Sequence, residues 1–343
     1  MAKILVIRLS AIGDVAMTIP VIHSLAVQYS QHHITVLSRK GMSAFFGYMP
    51  ENVSFWGMDE KERHKGFGGL NRLYKELRAC HFDYIVDFHD VLRTMYLRTL
   101  FRLEGKKVAH INKGRREKKA LIRQQGKTLV QLKSSFQRYA HVLEQLGFPI
   151  RLEFTSIYGN RKGDISSLLP LTGEKGKDIW IGIAPFATHK GKIYPLEKMK
   201  EVLGILSRKS NLKLFLFGGG KKETDILSNW EKQFPSTICI ASKLNWDTEL
   251  ALISQLDVML SMDSSNMHIA SMVGIPVVSI WGATHPYAGF MGWKQNESNA
   301  IQVDLPCRPC SIFGNKPCFR NDYACLQSIT PKMIVEHIEK VLP

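Results

Sequence analysis

The sequence predicts an α/β protein built from two parallel-sheet units, and three observations carry that prediction. Short apolar runs alternate with helical patterns, the alternation breaks once near residues 158–178 and restarts, and 343 residues exceed what one hydrophobic core usually supports. With 45% hydrophobic and 22% charged residues and no long low-complexity tract, the composition is that of a folded chain rather than a disordered one.

The first unit opens with KILVIRL (3–9), a strand-like run, then Ser10-Ala-Ile-Gly-Asp and the helical pattern AMTIPVIHSLAVQY. HITVLSR (33–39), the helical stretch GLNRLYKELRA (69–79) and the run FDYIVDF (82–88) continue the alternation. Alternating strands and helices imply parallel pairing through right-handed crossovers. The segment YGNRKGDISSLLPLTGEKGKD (158–178), rich in Gly, Ser, Lys and Pro, reads as the linker. The second unit then runs through IWIGIAP (179–185), LEKMKEVLGILSRK (196–209), LKLFLFGGG (212–220), TICIAS (237–242), ELALISQLDVMLSM (249–262) and VVSIWGA (277–283). We therefore expect domains at 1–165 and 175–330, with a C-terminal helix over 331–343 that packs back on the first domain. Parallel sheets bind ligands beyond the carboxyl ends of their strands, so function is expected on the strand-to-helix loops, in a cleft between the two units.

Four loops carry chemistry. In the first, Gly13 frees the turn and Asp14 falls at the helix start, either as a helix cap or as a carboxylate able to take a proton from a hydroxyl. In the second, APFATHKGKIYP (184–195) presents Thr188, His189, Lys190 and Lys192 before a helix, a set suited to a diphosphate or merely solvated. In the third, FGGGKKETD (217–225) places Glu223 after three glycines. It is neither the dinucleotide fingerprint nor a P-loop, and reads as a plain turn or a ribose contact. In the fourth, Asp263, Ser264 and Ser265 begin the helical pattern NMHIASMVG, a helix N-terminus fit for an anion. His268, flanked by apolar residues, reads there as ligand-facing or as a core histidine.

Taken in order, RLSAIGDVAMTIPVIHSL, Lys192-Ile-Tyr-Pro, the glycine-rich loop with Glu223, and DSSNMHIASMVGIPVVSIWGATHP resemble the ADP-heptose:lipopolysaccharide heptosyltransferases, nearly end to end. The resemblance implies the GT-B architecture of two Rossmann-like domains facing across a cleft. It implies an inverting transfer of heptose from ADP-heptose to an inner-core lipopolysaccharide acceptor, either Kdo-lipid A or a heptosylated one. It makes Asp14 the catalytic base, with Lys192 and Thr188 on the diphosphate, Glu223 on the ribose, and Asp263, Ser264 and His268 about the sugar phosphate. Ser265 stands where the family usually has glycine. Neither metal nor cofactor is required by this scheme. The alternative is another nucleotide-sugar enzyme of the same fold, such as a transferase of another sugar or an epimerase.

The net charge of +16 is lopsided: residues 1–170 hold 27 Lys+Arg against 14 Asp+Glu, and residues 171–343 hold 19 against 16. Such asymmetry points to a polyanionic partner of the first half. The stretch KKVAHINKGRREKKALIRQQGK (106–127), with Arg115, Arg116 and Lys118, and the earlier Arg93 and Arg98, are the expected acceptor-binding cations near an anionic membrane face. Nucleic acid is not expected, since basic residues are not interleaved with aromatics in a recognised motif. No apolar stretch is long enough to span a membrane and the N-terminus meets charge too early for a signal peptide, so a cytoplasmic, membrane-peripheral protein is expected. Cys80 and Cys239 stand alone; Cys307, Cys310, Cys318 and Cys325 have spacing compatible with a structural four-thiolate zinc site or with free thiols.

Overall fold

A computed structural model describes residues 1–342, and Pro343, the last residue of the expected C-terminal segment, lies outside them. Eleven strands among the described residues form two sheets in which every pairing is parallel. The first contains β1 (Lys3–Ile7), β2 (His33–Arg39), β3 (Val53–Met58), β4 (Tyr84–Asp87) and β5 (Lys107–His110) in the order β3-β2-β1-β4-β5. The second contains β6 (Ile179–Ala184), β7 (Leu212–Leu216), β8 (Thr237–Cys239), β9 (Val258–Met262), β10 (Val277–Ile280) and β11 (Ala300–Ile301) in the order β11-β10-β9-β6-β7-β8.

The central strands are the apolar runs anticipated from the sequence, because a parallel strand covered on both faces buries nearly every side chain. Residues 4–7 of β1 and all of β9 and β10 are buried. Strands β3, β5 and β11 were not anticipated. All three lie at sheet edges, where half-exposed positions such as those of β3, or the exposed Lys107 and His110 of β5, leave no continuous apolar run to read.

In the first unit Leu5, Ile7, Leu37, Leu73, Leu77, Ile85, Leu97 and Phe101 form one core between the sheet and the helices Gly66–Arg78 and Leu92–Leu103. In the second, Ile181, Ile183, Leu214, Leu216, Leu260 and Ile280 meet Val202, Leu203 and Leu206 of the helix Leu196–Leu206.

Two boundaries differ from expectation. The first unit comprises residues 1–113 and 133–157, whereas Gly114–Leu132 and everything from Tyr158 onward belong to the second. Leu121 and Leu132 are buried with Ala288 and Ile312, the Leu132 N–H donates to the Tyr287 carbonyl at 2.9 Å, and the Lys127 ammonium donates to the carbonyls of Pro306 and Arg308. Charge dominates this segment's sequence, but two leucines decide where it packs. The C-terminal helix Pro331–Val341, expected on the first domain, belongs to the second unit and packs on that unit's own core through Ile334, Val335 and Ile338, and Glu339 pairs with Lys209. Its apolar positions recur at one helical face, and that face is matched by Met199, Val202 and Leu206.

Truncating Ile338 to alanine is expected to cost the second unit about 2–5 kcal/mol by removing fully buried methyl groups. Denaturant unfolding followed by intrinsic fluorescence tests this, and an unmoved transition would contradict the packing described.

Candidate functional site

In the first unit the loops after β1 and β4 emerge side by side, because those strands are neighbours and run the same way. Asp14 is the third residue of the short helix Ile12–Ala16, and its Oδ2 accepts from the Ala11 N–H at 3.3 Å. The carboxylate therefore does serve the helix start, as the sequence allowed. It also receives something no local pattern showed: an ion pair of 2.6 Å from Arg8 Nη2. The Arg8 side chain is only 8% exposed against 36% for Asp14, and its Nη1 donates to the Phe88 carbonyl at 2.8 Å. Burial opposes the Arg8 charge, but Tyr139, Asp14 and Asp87 outweigh it and hold the guanidinium above its ordinary pKa. A buried, permanently charged fork thus fixes one oxygen of a half-exposed carboxylate.

His89 stands in the neighbouring loop. Burial first, then the positive charges of Arg8, Lys113 and Arg39, push its pKa from 6.5 down to about 3, so the imidazole is neutral at physiological pH. Its backbone N–H and that of Asp90, which has a positive φ of 50°, both donate to Asp87 Oδ1. Arg98 completes this loop by donating to Asp87 Oδ2 and Asp90 Oδ1, each at 2.9 Å. This corrects the acceptor-binding expectation for Arg98: it is buried and taken up by two carboxylates that fold the β4 loop. Breaking such a buried pair typically costs about 3–5 kcal/mol, the scale of a structural role.

Of the remaining acceptor-binding candidates, Arg93 is exposed on the first unit, while Arg115 and Arg116 are exposed on the second. Lys118 lies 4.2 Å over the Phe290 ring, also in the second unit. The five cations expected to act together are thus divided between two units.

In the second unit the donor candidates lie on the loops after β9, β6 and β7, three adjacent parallel strands, so all three loops leave one edge of one sheet. Lys192, on the tight turn Lys190–Lys192, places its ammonium 2.9 Å from Asp263 Oδ2. The Asp263 side chain is 3% exposed and that of Lys192 15%. A carboxylate so buried repels phosphate and steers the lysine instead; the ammonium keeps two further N–H donors for a ligand. Thr188 is exposed nearby in sequence. Glu223, in the first turn of the helix Lys221–Gln233, accepts from the Gly219 N–H through Oε2 at 2.9 Å and closes the glycine loop on itself.

Ser264 is extended and caps the helix Ser265–Met272, with its hydroxyl 3.2 Å from that of Ser261. Ser265 is the first helical residue and has no positive φ, so the backbone there does not demand glycine. His268 is buried one turn in, and its carbonyl accepts from Ser271 Oγ.

Three glycines that sequence reasoning passed over hold this arrangement. A Cβ on Gly282 would lie 2.6 Å from the Gly191 carbonyl oxygen, and one on Gly191 would lie 2.9 Å from the Gly314 oxygen. Gly314, at φ +73°, presses on the Lys192 stem, where a Cβ would come within 2.6 Å of Cγ. The Ala283 N–H donates to the Gly191 carbonyl at 2.8 Å, and buried Arg308 donates to the carbonyls of Gly282 and Thr284. Glycines beside a functional motif were the available signal, but their partners are distant in sequence.

The cysteine stretch supplies that Arg308. Burial, with the neighbouring cysteines, pushes the Cys325 thiol up to about 11 and raises Cys310 as well. All four thiols are free, and no group of three or more His, Cys, Asp or Glu side chains among the described residues is disposed to hold a metal ion.

Two histidines give the fold a pH dependence. His89 falls to about 3 and His285, through burial and then Arg308, to about 4, both from 6.5. Above pH 6.5 both are neutral folded and unfolded; below it the unfolded chain takes up protons that the native one refuses. Stability is therefore expected to fall steadily as pH drops from 6.5 toward those native values. Melting at pH 7.5 and pH 5 measures this, and His89→Gln should shrink the difference; an equal difference in the variant would refute the assignment.

With this geometry in view, comparison with known proteins is informative. The model of glycosyltransferase family 9 (heptosyltransferase) matches residues 70–316. Lipooligosaccharide heptosyltransferase 2 of Campylobacter jejuni subsp. jejuni serotype O:6 is 22% identical over 335 residues, covering 96% of each chain. A glycosyl transferase family 9 structure from Veillonella parvula DSM 2008 superposes with a TM-score of 0.75 at 20% identity, covering 99% of this chain and 97% of that one. The E. coli heptosyltransferase WaaC with ADP gives 0.69 at 15% identity, covering 99% of both. The fold is therefore that of the GT-B heptosyltransferases. With a family match spanning well over half of its length, and strand-end loops that carry the motifs in order, the chain belongs to glycosyltransferase family 9, the heptosyltransferases.

Proposed function

We propose that the chain transfers heptose from ADP-heptose to an inner-core lipopolysaccharide precursor, with inversion, at the cytoplasmic face of an anionic inner membrane. The observation that carries this reading is the convergence of Lys192, Glu223 and the Ser264–Ser265 helix start on one edge of the second sheet. That set suits a nucleoside diphosphate: a steered ammonium and a helix N-terminus for the phosphates, and a carboxylate with one oxygen left over for ribose hydroxyls. The WaaC structure similar to this chain holds ADP, and the curated relative acts on lipooligosaccharide.

In this scheme Asp14 takes the proton of the acceptor hydroxyl as that oxygen attacks the anomeric carbon. The bond from that carbon to the diphosphate breaks, and the electron pair leaves with ADP. Arg8 holds Oδ2, so Oδ1 is the oxygen that receives the proton. Lys192 and the helix N–H groups face the charge that grows on the departing diphosphate, with Thr188 as a further hydroxyl donor. Asp263 acts through Lys192, keeping it oriented. No step here needs a metal or cofactor, and the cysteine stretch serves the fold through Arg308.

Asp14→Asn is expected to lower turnover at least a hundredfold while ADP-sugars still raise the melting temperature, since the change leaves the second unit untouched. Transfer is followed by mass spectrometry of the acceptor. Near-normal turnover would remove Asp14 as base, and a sugar altered without any acceptor would point to an epimerase. For the cysteines, protein purified without chelator and unfolded in denaturant is expected to show six titratable thiols and zinc well below one equivalent; a full equivalent of zinc that shields four of the six would restore the four-thiolate site.

A further inference from the structure

The helix Leu92–Leu103 has two apolar faces, and only one of them is used by the fold. At ~100° per residue, Leu97 and Phe101, with Thr94 and Arg98, point toward the first unit's core, where all four are buried. Leu92, Met95, Thr99 and Leu103 fall within about 80° of arc on the opposite side. Leu92 is 84% exposed and Leu103 80%. Phe67, 79% exposed, extends this surface from the neighbouring helix Gly66–Arg78 and meets Tyr96 edge-on, ring centres 5.9 Å apart. A solvent-facing stripe of large side chains along a helix is not what a surface helix needs for its own stability.

The charges around the stripe choose its partner. Arg93 and Arg102, both exposed, flank it on either side, and the helix contains no acidic residue. Glu104, the next acid along the chain, is tied to Arg78 and to the Tyr74 hydroxyl. Exposed Lys65, Arg72, Lys75 and Lys107 surround the same region in sequence. Arginine stems can lie along an apolar layer while their heads reach phosphates above it. This is the pattern of a helix that lies in a bilayer interface, its apolar face among acyl chains and its cations at anionic headgroups.

We propose that this outer face, Leu92, Met95, Leu103 and Phe67 flanked by Arg93 and Arg102, docks the first unit on an anionic lipid surface. The inference deepens the reading of a lipid-linked acceptor, which it rests on for its purpose, by naming the surface that brings the enzyme to it. The docking helix directly follows the β4 loop that carries His89, so the surface and the loop beside Asp14 are one short segment of chain.

The full chain is sedimented with vesicles of phosphatidylcholine alone and with phosphatidylglycerol added. Wild-type protein should bind the anionic vesicles and not the neutral ones. Leu92→Asp with Leu103→Asp should reduce that binding at least tenfold with an unchanged melting temperature, as both side chains are exposed. Arg93→Gln with Arg102→Gln should weaken it most at low salt. Leu92→Asp with Leu103→Asp, neither of which is placed in the donor or acceptor site, should keep wild-type turnover on a delipidated, water-soluble acceptor and lose it on the same acceptor in vesicles. Absence of wild-type binding, or apolar variants that bind as wild type, overturns the proposal; so does a wild-type dimer in size-exclusion chromatography that these variants split, which would assign the face to a second copy. Vesicle binding without transfer to either acceptor would sink the transferase reading and leave the docking surface standing.

Discussion

In each sheet all strands run the same way, and the placement of chemistry in this protein follows from that constraint. A parallel strand must be followed by a crossover, so every strand delivers its next loop to the same edge of the sheet. In the second unit the adjacent strands β9, β6 and β7 release Asp263 to Ser265, Thr188 to Lys192, and the glycine loop with Glu223. In the first, neighbouring β1 and β4 release Asp14 and His89. Residues tens of positions apart leave the same edge of a sheet without any need for one to recognise another directly.

Within that frame, buried charges do the positioning. Arg8 holds Asp14, Asp263 holds Lys192, and Arg98 holds Asp87 and Asp90. Each pairing joins a buried partner to one that is more exposed or belongs to a turn. Desolvating such groups is costly, and the return is orientation rather than net stability. The pattern is consistent: the buried member fixes the geometry of the more exposed one. Where both members are buried, as for Arg98 and Asp87, the pair shapes a loop and meets nothing.

Close backbone approach is the second device. Gly191, Gly282 and Gly314 allow the lysine turn, the loop after β10 and the cysteine stretch to lie within contact of one another, and Arg308 gathers the carbonyls of the middle loop. A side chain at any of the three would push the Lys192 turn or its support by several tenths of an ångström. For an ammonium held 2.9 Å from Asp263, displacements of that order change the contact. The cysteine-rich stretch thereby acquires a structural role through its arginine and glycine.

The sequence by itself determined the α/β class, the two-unit plan, the central strands and the four loops that carry the motifs, because apolar runs, helical periodicity and turn residues are local signals that survive burial. It also marked Asp14, Lys192, Glu223 and Asp263 as residues at strand ends. Tertiary structure decided which partner each of them meets. Arg98 looked like a free cation until Asp87 and Asp90 folded around it, and Arg8 looked like the end of a strand until it reached Asp14. The segment Gly114–Leu132 reads as charge, yet Leu121 and Leu132 bind it to the second unit; the edge strands β3, β5 and β11 carry too little apolar pattern to be seen. The physical reason is the same in each case. Ion pairs, glycine contacts and edge pairings take their energy from partners far away along the chain, so no window of sequence contains both halves of the interaction.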